Sequence, residues 1–376
     1  MGKVRVCARM KAVALLGRVA GRAALAMSCA LAFSAPPGLA DSVTNTERAA
    51  TKLAEGVYEI RHPDAPDGFP QGNTTVIVGE RGVLVVDSGL LPSSTKQDIE
   101  QIRKWTDKSV VYVVNTHWHS DHSLGNGLYV QAFPFVQVVA QKETQRLIRD
   151  VNPAAIARYP LRKERTERAL ATGKKIDGSP LTEGERKRYE QRLAGLGPTL
   201  AELRAGVGFA PNLAFEHWLD IDLGGRAAQV RFLGRGNTSG DTIVYLPKEK
   251  ILVAGDLLVH PVPYFFGAFA VEHANTFDLM AQLDADVIVP GHGEVLHGKQ
   301  YIYQVRDLLR AVNSFVETQI NGGVQTADEA EALLMKRPEV ATWRDQFAGN
   351  DPKNRNFFDV NMHALVSSAF EQIGTR

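Results

Sequence analysis

Three imidazoles and a carboxylate fall within six consecutive positions of this chain. They are His117, His119, Asp121 and His122, in the run Thr116-His117-Trp118-His119-Ser120-Asp121-His122. Each is a metal-ligand type, and imidazole with carboxylate suits zinc or a similar divalent ion. In an extended chain successive side chains alternate, so His117, His119 and Asp121 are expected on one side, with His122 leaving that row. Such a cluster can feed two neighbouring ions rather than one. The bland alternative, a His-rich turn that merely ends a strand, is disfavoured because four ligand types rarely crowd into seven residues without a metal.

Further ligand types recur at the ends of apolar runs. Asp87 follows the run 83–86, Asp256 stands in Ala254-Gly255-Asp256-Leu257 after 251–254, and His292 stands in Pro290-Gly291-His292-Gly293 after 287–289. In this order, with the HxHxDH run, they resemble the motifs of the metallo-β-lactamase superfamily over about residues 58–298. The resemblance implies an αββα sandwich, two mixed sheets face to face with helices outside. It also implies that Asp87 orients the metal-binding loop without binding metal, and that Asp256 bridges two ions. The first site would hold His117, His119 and Asp256; the second would hold Asp121, His122, Asp256 and His292.

One motif departs from the pattern. Family members usually carry a histidine before Thr-x-Gly-Asp, whereas here Asn237 precedes Thr238-Ser239-Gly240-Asp241. An amide carbonyl is a poorer zinc ligand than imidazole, so Asn237 is a doubtful ligand, with Gly240 and Asp241 supporting its loop. A tight second zinc site and a weaker or variable first site are expected, another divalent metal being the alternative. His260 is a conceivable substitute ligand; ordinary core or surface placement is expected for it and for His217, His273, His297 and His363.

A divalent ion lowers the pKa of a bound water toward about 7, which provides hydroxide at neutral pH. No Ser-His-Asp or Cys-His arrangement is needed. By the same resemblance Asp121 helps orient the nucleophile or passes its proton to the leaving group. The aromatic run around Tyr264, Phe265 and Phe266, with Phe69 on the loop 62–72, suggests a pocket wall for a small molecule with an apolar group. A cyclic amide of the β-lactam kind is the first expectation for substrate, from compartment alone. A lactone or thioester is the alternative, and a non-catalytic binding protein with a decayed first site is the reading from another class.

These residues need elements to position them. Residues 56–60, 73–78, 83–86, 110–114, 136–140, 219–223, 228–233, 242–246, 251–254 and 287–289 read as strands. Helices are expected over 93–105, 301–320 and 357–373. The loop 62–72 reads as a hairpin loop and a candidate mobile flap, and 41–53 as a loose lead-in. Residues 141–208 read as a helical insertion beside the site, with 15 Lys/Arg between positions 142 and 204 against 9 Asp/Glu. Within it, Gly195 or Gly197 is expected to end a helix capped by Thr182 and Glu185. A metallo-β-lactamase-like domain over 54–298 and a C-terminal helical extension over 299–376 follow.

Hydrophobic content of 44% and charged content of 23% are those of a globular protein. The first forty residues stand apart. Lys3, Arg5, Arg9, Lys11, Arg18 and Arg22 occur with no acid, before an apolar run over 23–33 and small residues ending at Ala40. That is the pattern of a secretory signal peptide, so a periplasmic or secreted protein with no stable membrane anchor is expected. Both cysteines, Cys7 and Cys29, lie in this segment. Without its six basic residues the remaining 37 face 42 acids, which argues against nucleic acid as a partner.

Overall fold

The structure is a computed structural model that describes residues 47–157, 159–175 and 178–375. The expected signal peptide lies outside the described residues. A seven-stranded sheet runs in the order β1 (Ala49–Ala54), β2 (Val57–Arg61), β3 (Thr74–Val78), β4 (Val83–Val86), β5 (Val110–Val114), β6 (Gln137–Gln141) and β7 (Leu213–Phe215). A six-stranded sheet comprises β8 (Trp218–Asp222), β9 (Ala227–Arg231), β10 (Ile243–Leu246), β11 (Ile251–Val259), β12 (Val287–His292) and β13 (Leu296–His297), ordered from β13 back to β8. Both are mixed: β4, β5, β6 and β7 pair in parallel, as do β11 and β12, and the other pairings are antiparallel.

Alternation along the strands explains the layers. Val57, Ile77, Leu84, Val86 and Val114 of the first sheet meet Val230, Val244, Leu246, Ile251, Val253 and Val289 of the second in one buried core. Their neighbours face outward. Val76, Val83, Val85 and Val113 pack under α1 (Pro92–Trp105) and α3 (Asn126–Ala132) through Ile99, Ile102, Leu128 and Tyr129. Ile243, Leu252, Ala254 and Ile288 pack under the helices of the second half. With both faces covered, the strands read as continuous apolar runs. The arrangement is the expected αββα sandwich.

The short helix α2 (Ser120–Ser123) precedes α3. Between β6 and β7 lie α4 (Lys142–Asp150), α5 (Asn152–Ala157), α6 (Tyr159–Thr172) and α7 (Glu183–Ala205), which form the expected insertion. After β11 come α8 (Ala270–Gln282) and, beyond β13, α9 (Gln300–Asn321), α10 (Ala327–Leu334), α11 (Pro338–Ala348) and α12 (Pro352–Gly374). The C-terminal helices share one core with the second sheet, so they are its outer layer rather than an appendage.

Three expectations are corrected here. Residues 49–54 form an edge strand on β2 instead of a loose lead-in; the strand has no fully buried residue, so it carries no alternating apolar pattern. The helix α7, capped by Thr182 and Glu185 as expected, runs on through Gly195, Gly197 and Pro198. Gly195 serves close packing instead of termination, because a Cβ there would sit 1.8 Å from the Pro66 carbonyl oxygen. The loop 62–72 is pinned rather than flap-like. Buried Asp67 accepts from Tyr159 Oη at 2.5 Å and Thr199 Oγ1 at 3.2 Å, and pairs with Arg162 at 3.5 Å, all from the insertion.

Candidate metal centre

The strand β5 delivers Thr116 and His117 to the edge of the sandwich, where the chain turns into α2. This turn corrects the simple alternation. His117 and His119 converge with Asp256, while Asp121 and His122 converge with His292, the candidate ligand atoms of each group lying within 4.8 Å of one another. Asp256, from β11, spans the two groups. Its Oδ2 lies 3.4 Å from His117 Nε2 and 4.0 Å from His119 Nδ1; its Oδ1 lies 3.2 Å from His122 Nε2 and 3.6 Å from His292 Nε2. Asp121 Oδ2 is 3.1 Å from His292 Nε2 and 3.5 Å from His122 Nε2.

Asp87 holds this loop from behind. Its Oδ1 accepts from the Thr116 backbone N–H at 2.7 Å and its Oδ2 from the Thr116 hydroxyl at 2.8 Å. The Asp87 Oδ2 also lies 2.8 Å from His122 Nδ1. That contact assigns the Nδ1 proton of His122 to Asp87 and leaves Nε2 facing the site. Thr116 Oγ1 lies 3.0 Å from His117 Nδ1 and orients that ring in the same way. Gly255 and Gly291 allow the close approaches: a Cβ on the first would meet Thr116 at 2.6 Å, and one on the second would meet Asp256 Oδ1 at 1.9 Å.

The electrostatics are those of a site built for positive charge. Burial alone would raise the Asp256 carboxyl, yet His122, His292 and His117 hold it well below the usual carboxylate range. Burial would likewise lower His122, but Asp256, Asp121 and Asp87 hold it well above an ordinary imidazole. His117 is lowered to about 4 by burial and by neighbouring His122. Burial opposes ionisation of Asp121, and His122 and His292 overcome it, to about 2.

Asn237 is 1% exposed, and neither its Oδ1 nor its Nδ2 has a hydrogen-bond partner; Asp256 Oδ1 is likewise without one. Orphaned polar atoms this deep are costly unless something else satisfies them. A set of four imidazoles with the carboxylates of Asp121 and Asp256, the Oδ1 of Asp256 lacking a hydrogen-bond partner, fits divalent ions. Asp241 fixes the Asn237 loop, accepting from the Gly236 and Thr238 N–H groups at 3.1 and 2.7 Å and from the Thr238 hydroxyl at 2.9 Å. Burial pushes its carboxyl up to about 7. Gly240 abuts Thr144, whose hydroxyl donates to its carbonyl at 2.8 Å.

The remaining expected residues separate. His260 packs edge-on to Tyr301 and stands outside both groups of converging ligand atoms. His273 is buried against Phe277, with Nε2 3.1 Å from the Leu257 carbonyl. Tyr264 stands edge-on to His119 at 6.3 Å and tilts against Phe266 at 5.3 Å. Phe265 does not wall a pocket: it is 1% exposed and packs into the core under the C-terminal helices, because adjacent residues in this run face opposite ways. Phe69 joins a separate cluster with Leu90, Leu91 and Leu203, under the Arg162 guanidinium.

A sequence profile of the metallo-beta-lactamase superfamily matches residues 67–292, and the chain belongs to that superfamily. It is 25% identical over 307 residues to a linear primary-alkylsulfatase of Pseudomonas sp., covering 77% of this chain and 53% of that protein. The chain thus spans about half the length of that relative. Among solved structures it is similar to a stereoselective inverting sec-alkylsulfatase from Pseudomonas sp., with a TM-score of 0.58 and 17% identity over 85% of this chain and 50% of that one. It is also similar to a metallo-beta-lactamase from Pontibacter korlensis, with a TM-score of 0.51 and 20% identity over 70% of this chain and 99% of that one. These likenesses share the fold.

Proposed function

We propose that the chain is an exported, zinc-dependent hydrolase that cleaves a small ester bearing an apolar chain, with alkyl sulfate esters the favoured class. The carrying observation is the bridged pair of ligand groups with an aromatic face beside it: Asp256 between His117/His119 and His122/His292, and Tyr264 with Phe266 next to His119. Bound zinc would supply an acidified water and an electrophile for the ester oxygen. Asp121, beside His292, would orient that water and hand its proton to the departing alcohol. Trp118, Tyr264 and Phe266 would seat the apolar chain. The sulfate-ester class is supported by the similarity to the linear primary-alkylsulfatase over 77% of this chain. The cyclic-amide reading rests on compartment alone and stands second, with lactones and thioesters behind it. Nothing in the charge balance favours a nucleic-acid partner, and no helix among the described residues is long and apolar enough to cross a membrane.

The test is a turnover panel on zinc-loaded protein: medium-chain alkyl sulfates, a chromogenic β-lactam, an acyl lactone and a thioester. Sulfate release with the alkyl sulfates is the expected result. β-Lactam turnover without sulfate release would replace the favoured class with the second.

A further inference from the structure

We propose that Gly72 and Asn73 form a brace that sets the position of both imidazoles of the second metal site, His122 and His292. The proposal rests on the reading of Asp121, His122 and His292 as that site, and it assigns these two loop residues a positioning role.

The two residues act on different halves of the molecule. Gly72 lies against the His122 ring: a Cβ on it would stand 2.3 Å from Cε1, 2.6 Å from Nδ1 and 2.7 Å from Nε2. Only glycine lets the backbone lie this close to the ring edge that carries both nitrogens. Asn73 reaches the opposite sheet. Its backbone N–H donates to the Gly291 carbonyl at 2.7 Å, and its Nδ2 donates to the carbonyls of Pro290 at 3.0 Å and Gly293 at 2.9 Å. These acceptors flank His292 in sequence. A planar amide offers two donors at fixed angles, which neither aspartate nor alanine provides. Buried outer contacts of this kind orient metal ligands and commonly govern affinity.

The brace is itself anchored. The Gly72 carbonyl accepts from His62 Nδ1 at 2.8 Å, and His62 Nε2 lies 2.9 Å from Asp98 Oδ2, whose partner oxygen takes Arg48 at 2.7 Å. His62 and Asp98 are fully buried. With both ring nitrogens facing acceptors, His62 serves as a double donor between α1 and the loop. The insertion clamps the same loop through Asp67. Residues 62–73 therefore join the insertion, α1 and both sheets at one metal site.

The test compares the wild-type chain with Asn73→Ala, Asn73→Asp and Gly72→Ala. Zinc content is measured after dialysis against graded chelator, alongside the visible absorption spectrum of the cobalt(II)-loaded protein and melting of the metal-free form. The expected result is a loss of about 10–100-fold in affinity for one of two ions, an altered cobalt spectrum, and an unchanged affinity for the other ion. A merely structural role would lower the metal-free melting temperature and leave the chelator competition unmoved. Gly72→Ala keeps the Asn73 side chain, so it carries the test if the Asn73 variants do not fold. Wild-type competition curves in the variants would overturn the brace while leaving the two-metal reading intact. A wild-type chain that takes up no zinc would overturn both.

Discussion

At the residue scale, function depends on which nitrogen of each imidazole is turned toward the site, and that is decided by neighbours that are not ligands. Asp87 and Thr116 together set His122 and His117. Asp121, like Asp256, lies close to both second-group histidines. Asp121→Ala is expected to lower turnover about 10²–10⁴-fold, measured as kcat at saturating zinc with folding checked by circular dichroism. The buried, partnerless amide of Asn237 yields a second expectation. Asn237→His should tighten the weaker ion by about tenfold or more, equivalent to about 1.4 kcal/mol, in the same chelator competition. An unchanged pair of affinities would show that position 237 does not face the metal.

Glu59 bears on stability rather than chemistry. Burial pushes its carboxyl from 4.5 up to about 7, against the pull of Arg61. A folded-state pKa above the unfolded one means that folding retains a proton in this window. The stabilisation is complete below about pH 4.5 and is lost as pH rises toward 7. The difference across the window is on the order of 3 kcal/mol. Glu59→Gln should flatten the rise of urea midpoint on acidification from pH 7 to pH 5; an unchanged slope would assign it elsewhere.

At the scale of elements, the insertion gains its meaning from what it clamps. α6 and α7 contribute Tyr159, Arg162 and Thr199 to buried Asp67, and Gly195 accepts the Pro66 carbonyl against its backbone. Gly195→Ala should force the helix and the 62–72 loop apart and cost about 1–3 kcal/mol. Limited proteolysis should then cut the loop faster than in the wild-type chain. The net positive charge of this segment sits largely on exposed faces, where it forms local pairs such as Arg146–Glu143 and Lys163–Glu167.

At the scale of the whole molecule, the C-terminal helices and the second sheet unfold as one body if they share one core. Leu365 is fully buried on α12 within the cluster that includes Leu252, Ile288 and Phe277. Leu365→Ala should therefore destabilise the metal-free protein by about 2–5 kcal/mol in a single urea transition that the metal-site half follows. Two separated transitions would instead make residues 299–376 an independent unit.

Much of this was legible along the chain because it is local. Strand periodicity follows from side-chain alternation, so the ten expected strands are found, and Asp256 and His292 stand out because each ends an apolar run. Adjacent ligands in 117–122 announce a metal because their spacing alone brings them together. What the chain order cannot express is approach between distant segments. Gly72 touching His122, Asn73 bonding across to the His292 loop, Gly195 against Pro66 and Phe265 turning into the core are all set by packing of separate elements. Their signals are a glycine or an asparagine, residues that equally serve turns. Ligand identity is thus a property of the sequence, whereas ligand orientation is a property of the tertiary fold, because it takes two chain segments to fix the angle of one ring.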